Sequence, residues 1–271
     1  MKKDWLTRTE ILIGEENLKK LQDSRVTIVG LGGVGSHAAE SLVRAGIGEF
    51  HLIDYDTVSV SNINRQILAT SETVGRLKTE VMKERMHSIN PEVKISIYSE
   101  FLQKNNRLQI LKNSDYIVDA IDTIGPKMGM IYDLIELDIP FISVLGAGNR
   151  VNPETIKIKS IWETTGCPFA KRIKKLLRKR GVSKDFVVVF SEEEPISIVN
   201  TSAGKTPKCN LSINLCRSTN PRMALSDGIW QSEIAATEGS IPKSIVGSIS
   251  YMPAIMGMVA ASKVIRDIIK N

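Results

Sequence analysis

The side chains best equipped for chemistry fall in one polar run and two separate positions. The run is Asn62-Ile-Asn64-Arg65-Gln66, and the separate residues are Lys78 and Asp122. Asparagine amides orient ligand oxygens, an arginine fork grips phosphate bidentately, and a lysine adds a point charge. Asp119 and Asp122 leave the carboxyl end of the strand-like stretch that starts at Tyr116. A carboxylate there, beside a polyphosphate, is a natural Mg²⁺ ligand. These residue types suit the holding of a polyphosphate and its metal. A plain dehydrogenase has no need of such a set.

Such a set needs a frame, and the frame is legible upstream. Arg25-Val-Thr-Ile-Val29 runs into Gly30-x-Gly32-Gly33-x-Gly35, and a small-residue helix, Ser36 to Ala45, follows. The strand must turn sharply into the helix, and the backbone must approach a phosphate, so both places want glycine. The helix N-terminus then aims free N–H groups and partial positive charge at that phosphate. A tight turn without a ligand would also use glycine, but a strand before and a helix after favour the phosphate. Phe50 to Asp54 is the second strand. Asp54 stands 24 positions after Gly30, where a nucleotide fold places the acid that holds ribose hydroxyls. Asp56 can share that role.

The rest of the chain alternates in the same manner. Strand-like stretches at 93–98, 116–122 and 140–148 are separated by helical stretches at 75–88, 101–113 and 127–137. That alternation predicts an α/β fold, a Rossmann-like doubly wound and mostly parallel sheet. Residues 156–161 can add a further strand. Residues 1–24 read as an N-terminal helical arm, 25–150 as the nucleotide-binding domain, and 151–271 as a C-terminal extension. Within that extension, a polar loop over about 200–240 is expected to be mobile. Residues 245–269 are largely apolar, but Pro253, two glycines and the later charges argue for a strand-like 248–251 and a buried helix rather than a membrane span. The 271 residues carry a net charge of +6, which permits a nucleic-acid partner. Three cysteines, Cys167, Cys209 and Cys216, are too few for a disulfide framework. With no apolar signal segment at the start, a cytoplasmic location is expected.

Residues 171–180 hold seven basic residues in ten: Lys171, Arg172, Lys174, Lys175, Arg178, Lys179 and Arg180. Ile173, Leu176 and Leu177 fall at i, i+3 and i+4, so the segment is a helix with one apolar edge. It is either a solvated charged helix or a surface for RNA phosphates.

Taken jointly, the glycine loop, Asp54, Asn62 to Gln66, Lys78 and Asp119-Ala-Ile-Asp122 resemble the ThiF/MoeB/HesA family, the adenylating fold of the ubiquitin-activating enzymes. The resemblance covers residues 8–148 and the stretch Gly247-Ser-Ile-Ser250. It implies binding of ATP and Mg²⁺ and attack of a carboxylate on the α-phosphate, giving an acyl-adenylate and pyrophosphate. It implies that the glycine loop, Arg65 and Lys78 hold the phosphates, Asp54 the ribose and Asp122 the Mg²⁺. Arg8 matches an arginine that reaches the partner's ATP across a homodimer interface. The zinc-binding Cys-x-x-Cys pairs of the sulfur-carrier branch are absent. Residues 143–149, Cys167-Pro-Phe-Ala-Lys171, 174–181, 187–192 and 247–253 resemble instead the subfamily of tRNA threonylcarbamoyladenosine dehydratases. That resemblance implies a tRNA substrate bearing the modified adenosine beside its anticodon, and it favours RNA contact for the basic helix. A cysteine desulfurase or sulfur-acceptor partner stays open, and Cys167 is read as non-catalytic. Adenylation of a small sulfur-carrier protein is the alternative. An NAD-dependent oxidoreductase leaves the Asn–Arg–Lys–Asp set unexplained, and a non-catalytic tRNA binder leaves it idle.

Overall fold

The computed structural model describes residues 4–102, 104–196 and 246–270. Residues 1–196 with 248–271 form one compact unit. The second unit, 197–247, lies almost wholly outside the described residues, and with it the loop expected over about 200–240, Cys209 and Cys216.

The chain opens with a short 3-10 turn, then α1 (Thr7–Ile13) and α2 (Glu15–Asp23). The single arm read from the sequence is two helices because Gly14, at φ +86°, leaves the helical conformation between them. Leu18 and Leu21 of α2 are buried, whereas α1 buries none of its side chains. Next come β1 (Arg25–Val29), α3 (Gly33–Ala45) and β2 (Glu49–Ile53). Then α4 (Lys78–Ile89), β3 (Lys94–Tyr98), α5 (Lys104–Leu111), β4 (Tyr116–Asp119), α6 (Ile124–Leu137) and β5 (Phe141–Val144) follow. The helix read from 75 starts at Lys78 because Gly75 takes φ +88° in the preceding turn.

The sheet does not stop at residue 150. β6 (Ile156–Ser160), α7 (Pro168–Lys179) and β7 (Val187–Ser191) complete it. The strand order is β3-β2-β1-β4-β5-β7-β6, and all neighbours run parallel except the β6–β7 pair. β1 has β2 on one side and β4 on the other, so the winding reverses between β1 and β4. Crevices at such a reversal, outside the carboxyl ends of the strands, are where open α/β sheets bind ligands.

Residues 248–251 form no strand. Ser250 is in a turn, and the last helix, α8 (Tyr251–Ile268), begins directly after it. The apolar sequence of α8 is explained by a close helix seam with α3. A Cβ on Gly257 would lie 2.3 Å from the Val34 carbonyl oxygen. Ala38, Ala39, Ala260 and Ala261 are all buried to within 1 %. No helix among the described residues is long and apolar enough to cross a membrane.

Two histidines are carried into this packing. His51 on β2 is 7 % exposed and sits edge-on to Tyr98. His37 on α3 is half-buried, and neither Nδ1 has a hydrogen-bond partner. Burial pulls both imidazoles below their ordinary value of 6.5. The unfolded chain therefore takes up protons that the folded chain resists. Stability is full above the unfolded value and falls as pH drops below it. The urea midpoint is expected to be lower at about pH 5.5 than at about pH 7.5, and His51→Phe should flatten part of that slope. An unchanged slope in His51→Phe would show that His51 titrates alike in both states.

Candidate functional site

The site is built on a backbone contact. Gly30 leaves β1 at φ +91°, and its N–H donates to Ile53 O at 2.8 Å. A Cβ there would lie 2.8 Å from Ala120 O, at the end of β4. Gly35 is tighter, since its Cβ would lie 1.8 Å from Gly30 O. Only glycine lets the first turn of α3 sit this close to the strand end. The result is a helix N-terminus at Gly33, three residues earlier than the sequence suggested, aimed into the β1–β4 crevice. Gly33 itself is roofed by Pro253 of α8 and Arg65 O, 3.0 and 3.2 Å from an added Cβ.

Asp54 directly follows β2 and is 9 % exposed. Its Oδ2 accepts from the Leu31 N–H of the glycine loop at 2.6 Å, and its Oδ1 from Asp56 N–H at 2.8 Å. It thus braces the loop from beneath. Burial pushes its carboxyl above the usual range, while Lys78 and the two N–H groups pull the other way. Lys78 opens α4, is 5 % exposed, and donates to Asp56 Oδ2 at 2.8 Å, with Asp54 Oδ2 at 3.9 Å. A lysine between two carboxylates places a cation at the edge of the crevice.

The polar run forms the opposite wall. Asn62 is 9 % exposed, and its Oδ1 accepts from Ser59 N–H, closing a 3-10 turn. Arg65 donates from Nη1 to Ser61 O at 2.8 Å and to Asn64 Oδ1 at 3.0 Å. Asn64 Nδ2 in turn donates to Ser248 O at 3.1 Å, which ties the run to the chain entering α8. Gln66 is 5 % exposed, its Oε1 has no partner, and its Nε2 lies 3.9 Å from a Cβ built on Gly32. A buried amide with an idle oxygen beside the glycine loop is suited to order a bound group.

Asp119 and Asp122, alike in sequence, are placed differently. Asp122 is exposed just beyond β4. The acids Asp56, Asp122 and Asp54 all act on the Tyr55 hydroxyl, raising it further after burial has done so. Asp119 is fully buried. Its Oδ2 accepts from Lys127 Nζ at 2.6 Å and Ser143 Oγ at 2.6 Å, and its Oδ1 from Ile121 N–H at 3.1 Å. It has no exposure left for a metal, so of the two aspartates only Asp122 remains a candidate ligand. Among the described residues no three His, Cys, Asp or Glu side chains gather as a metal cage. Mg²⁺ commonly binds through one or two carboxylates and substrate phosphates, so a single Asp122 fits that mode.

Lys127 was not legible as a site residue. It is fully buried, and burial pulls its amine below the ordinary lysine value against the pull of Asp119. The pair pins the end of β4, from which Asp122 projects. Arg150 was missed in the same way. Its guanidinium donates to Gly146 O at 2.7 Å and from Nε to Glu193 O at 3.0 Å, fastening the end of β5. Arg8 lies on exposed α1 with no ion pair among the described residues, and Ile11 and Leu12 beside it are 80 % and 83 % exposed. The seven basic residues of 171–180 lie on α7 and just past its end. Cys167 precedes α7 and is buried, 5 % exposed.

A glycine-loop crevice at the sheet's reversal, with Arg, Lys, Asn and a free Asp on its rim, defines a nucleotide-binding α/β protein of adenylating type. The chain belongs to the ThiF family, whose model matches residues 6–271. It is 34 % identical over 266 residues to the tRNA threonylcarbamoyladenosine dehydratase of Bacillus subtilis, covering 98 % of this chain and 94 % of that one. It is 34 % identical over 265 residues to the protein of the same name from Escherichia coli, covering 95 % and 91 %. Among solved structures, the E. coli dehydratase in complex with ATP superposes at a TM-score of 0.77 with 30 % identity, covering 99 % of this chain and 96 % of that one.

Removing the amine of Lys127 leaves Asp119 charged, buried and unpaired. Lys127→Met should cost about 3–5 kcal/mol of stability. Denaturant unfolding measures it, and a loss near zero would mean that Asp119 is neutral in the fold.

Proposed function

We propose that this chain is an ATP-dependent tRNA threonylcarbamoyladenosine dehydratase. The observation that carries the reading is the near full-length likeness to dehydratases combined with a polyphosphate crevice at the sheet's reversal. ATP lies with its phosphates over the N-terminus of α3, held by Arg65 and Lys78. Asn62, Asn64 and Gln66 orient the phosphate oxygens, and Asp54 and Asp56 serve the ribose side. Mg²⁺ at Asp122 supplies charge neutralisation when bound.

The carboxylate of the threonyl side chain is a poor electrophile, because its leaving group would be oxide. Its oxygen attacks the α-phosphorus, and pyrophosphate leaves. The side chain then cyclises: its own nucleophilic atom bonds to the activated carbonyl carbon and gives up a proton, the carbonyl–phosphate bond breaks and AMP leaves, so the nucleoside loses one water overall. The chain's own part is to hold two anions against each other in line. Positioning and cationic charge supply most of such an acceleration. Arg65 donates to its own loop and Lys78 to Asp56, so both exchange these partners for phosphate when ATP enters.

The protein is a cytoplasmic homodimer in this reading. The support is α1, which exposes Ile11 and Leu12 beside Arg8 and turns only Ile13, partly buried, to the core of its own chain. Pairing two such faces removes apolar surface from water and carries Arg8 towards the partner's crevice. The basic surface of α7 receives tRNA.

Exchange of labelled pyrophosphate into ATP tests the reading. It is expected only when tRNA bearing threonylcarbamoyladenosine is present. Exchange driven instead by a small protein ending in Gly-Gly would move the chain to the sulfur-carrier branch, and no exchange with either would end the adenylation reading. Asp122→Ala should lower the exchange rate by about 10²-fold or more at saturating Mg²⁺. Full activity in that variant would refute Asp122 as the metal ligand.

A further inference from the structure

Helix α7 carries more charge than the fold uses, and the core decides which way it faces. Ala170, Ile173 and Leu177 are 0–1 % exposed and pack with Ile161, Phe186 and Phe190. At 3.6 residues per turn this places Lys171, Lys175 and Arg178 on the opposite side, at i, i+4 and i+7, with Arg172 beside them. All four are exposed. Lys171, Arg172 and Lys175 have no hydrogen-bond or ion-pair partner among the described residues.

Two of the other basic residues are engaged by the fold. Lys174 sits on the flank and donates to Thr164 O at 2.8 Å. Arg180, past the helix end, lies over the Tyr132 ring with its guanidinium carbon 4.3 Å from the centroid. Arg178 is intermediate. It remains exposed, yet its guanidinium lies 5.4 Å from the Trp162 centroid. The seven-residue charge run therefore divides by rotation and by partner.

Helix α7 has no acidic residue, so like charges face each other at i, i+4 without relief from its own sequence. A polyanion laid along the stripe removes that repulsion. An anionic membrane is a poorer match, because surface-bound helices insert an apolar face and this one has buried its own. The helix is also well placed for RNA. Phe169, in its first turn, lies 3.9 Å from a Cβ built on Gly146, at the carboxyl end of β5. That is the sheet edge on which the glycine loop opens. The stripe begins on the ATP side and runs away from it for about 10 Å, at 1.5 Å per residue.

We infer that Lys171, Arg172 and Lys175 contact successive phosphates of an RNA strand leading away from the adenylation crevice, and that Trp162-backed Arg178 offers its guanidinium face to an unpaired base. The inference rests on the tRNA reading above and deepens it by assigning the contact face. Arginine planes and aromatic rings are common stacking partners for splayed RNA bases.

Filter binding of an unmodified tRNA transcript to the full-length protein, over a series of KCl concentrations, tests it. Each phosphate contact contributes about 0.7–0.9 to the slope of log K against log salt. The triple change Lys171→Ala, Arg172→Ala, Lys175→Ala should lower that slope by about 2–3 and weaken binding at low salt more than tenfold. A melting temperature matching the wild type would show that the variant is folded. Arg178→Lys keeps the charge and loses the planar face, so it should keep the slope yet weaken binding to tRNA more than to a fully paired duplex. Lys174→Ala should instead lower the melting temperature and keep the slope. A triple variant with the wild-type slope and affinity would overturn the assignment of this face while leaving the tRNA reading intact. Loss of binding to phosphatidylserine vesicles with tRNA binding retained would overturn it in favour of a lipid surface. Failure of the wild type itself to bind tRNA would overturn the tRNA reading.

Discussion

Everything in the crevice depends on two places where a Cβ is forbidden. A Cβ on Gly35 would stand 1.8 Å from the Gly30 carbonyl oxygen, and one on Gly30 would stand 2.8 Å from Ala120 O. These contacts bring three elements to one point: the end of β1, the start of α3 and the end of β4. The N-terminus of α3 cannot withdraw from the strand ends without opening that packing. The position of its first turn at the strand ends is therefore set by backbone rather than by side chains. The same logic holds on the outer side. Gly257 lets α8 lie against the Val34 carbonyl, and Pro253 roofs Gly33. A C-terminal helix far away in sequence thus becomes part of the phosphate loop's support.

The second constraint is charge. Lys78 and Lys127 are both nearly or fully buried near the carboxyl ends of the strands, and each is matched to a carboxylate. They are matched differently. Lys127 is locked to Asp119 and Ser143 and has no exposure, so its charge only fixes the strand end. Lys78 faces Asp56, whose side chain is 49 % exposed, so that pair can open to an incoming anion at modest cost. A buried pair with a half-exposed partner is weaker than one sealed on both sides. The difference between the two lysines separates a sealed structural cation from one whose partner is open to solvent.

Most of the frame was legible in the sequence because it is local. The glycine loop, β1 to β5 and their alternating helices follow from runs of β-branched residues, glycines and spacing, all read within windows of a dozen residues. What stayed hidden is non-local. Lys127 looked like an ordinary residue near a helix start, and only the register of β4 beside β5 brings Asp119 and Ser143 to it. By residue type and position alone Asp119 and Asp122 were equivalent, and only the family resemblance singled out Asp122; in the fold one is sealed and the other exposed. The strand at 156–161 was legible and is β6, but its route into the sheet was not, since it joins through β7, which pairs with β5 across forty-odd residues. The strand read at 248–251 failed because a strand needs a neighbour. Tyr251 instead donates its hydroxyl to Val151 O, at the head of a helix.

The basic segment shows the same divide in charge rather than in shape. Composition counts seven cations equally, but a folded chain does not. Ile173 and Leu177 choose the rotation of α7, and that choice assigns Lys174 to a backbone carbonyl and Arg180 to an aromatic face before any ligand arrives. Fewer charges remain for a partner, but they are aligned on one line. Alignment matters more than number for a polymer of evenly spaced phosphates, because each contact fixes the register of the next. The line starts on the sheet edge where α3 aims its N–H groups. A single substrate can then meet both features at once, its reacting end at the crevice and its backbone on the helix. The glycine contacts that set the crevice and the apolar edge that turns α7 are, in that sense, two halves of one positioning device.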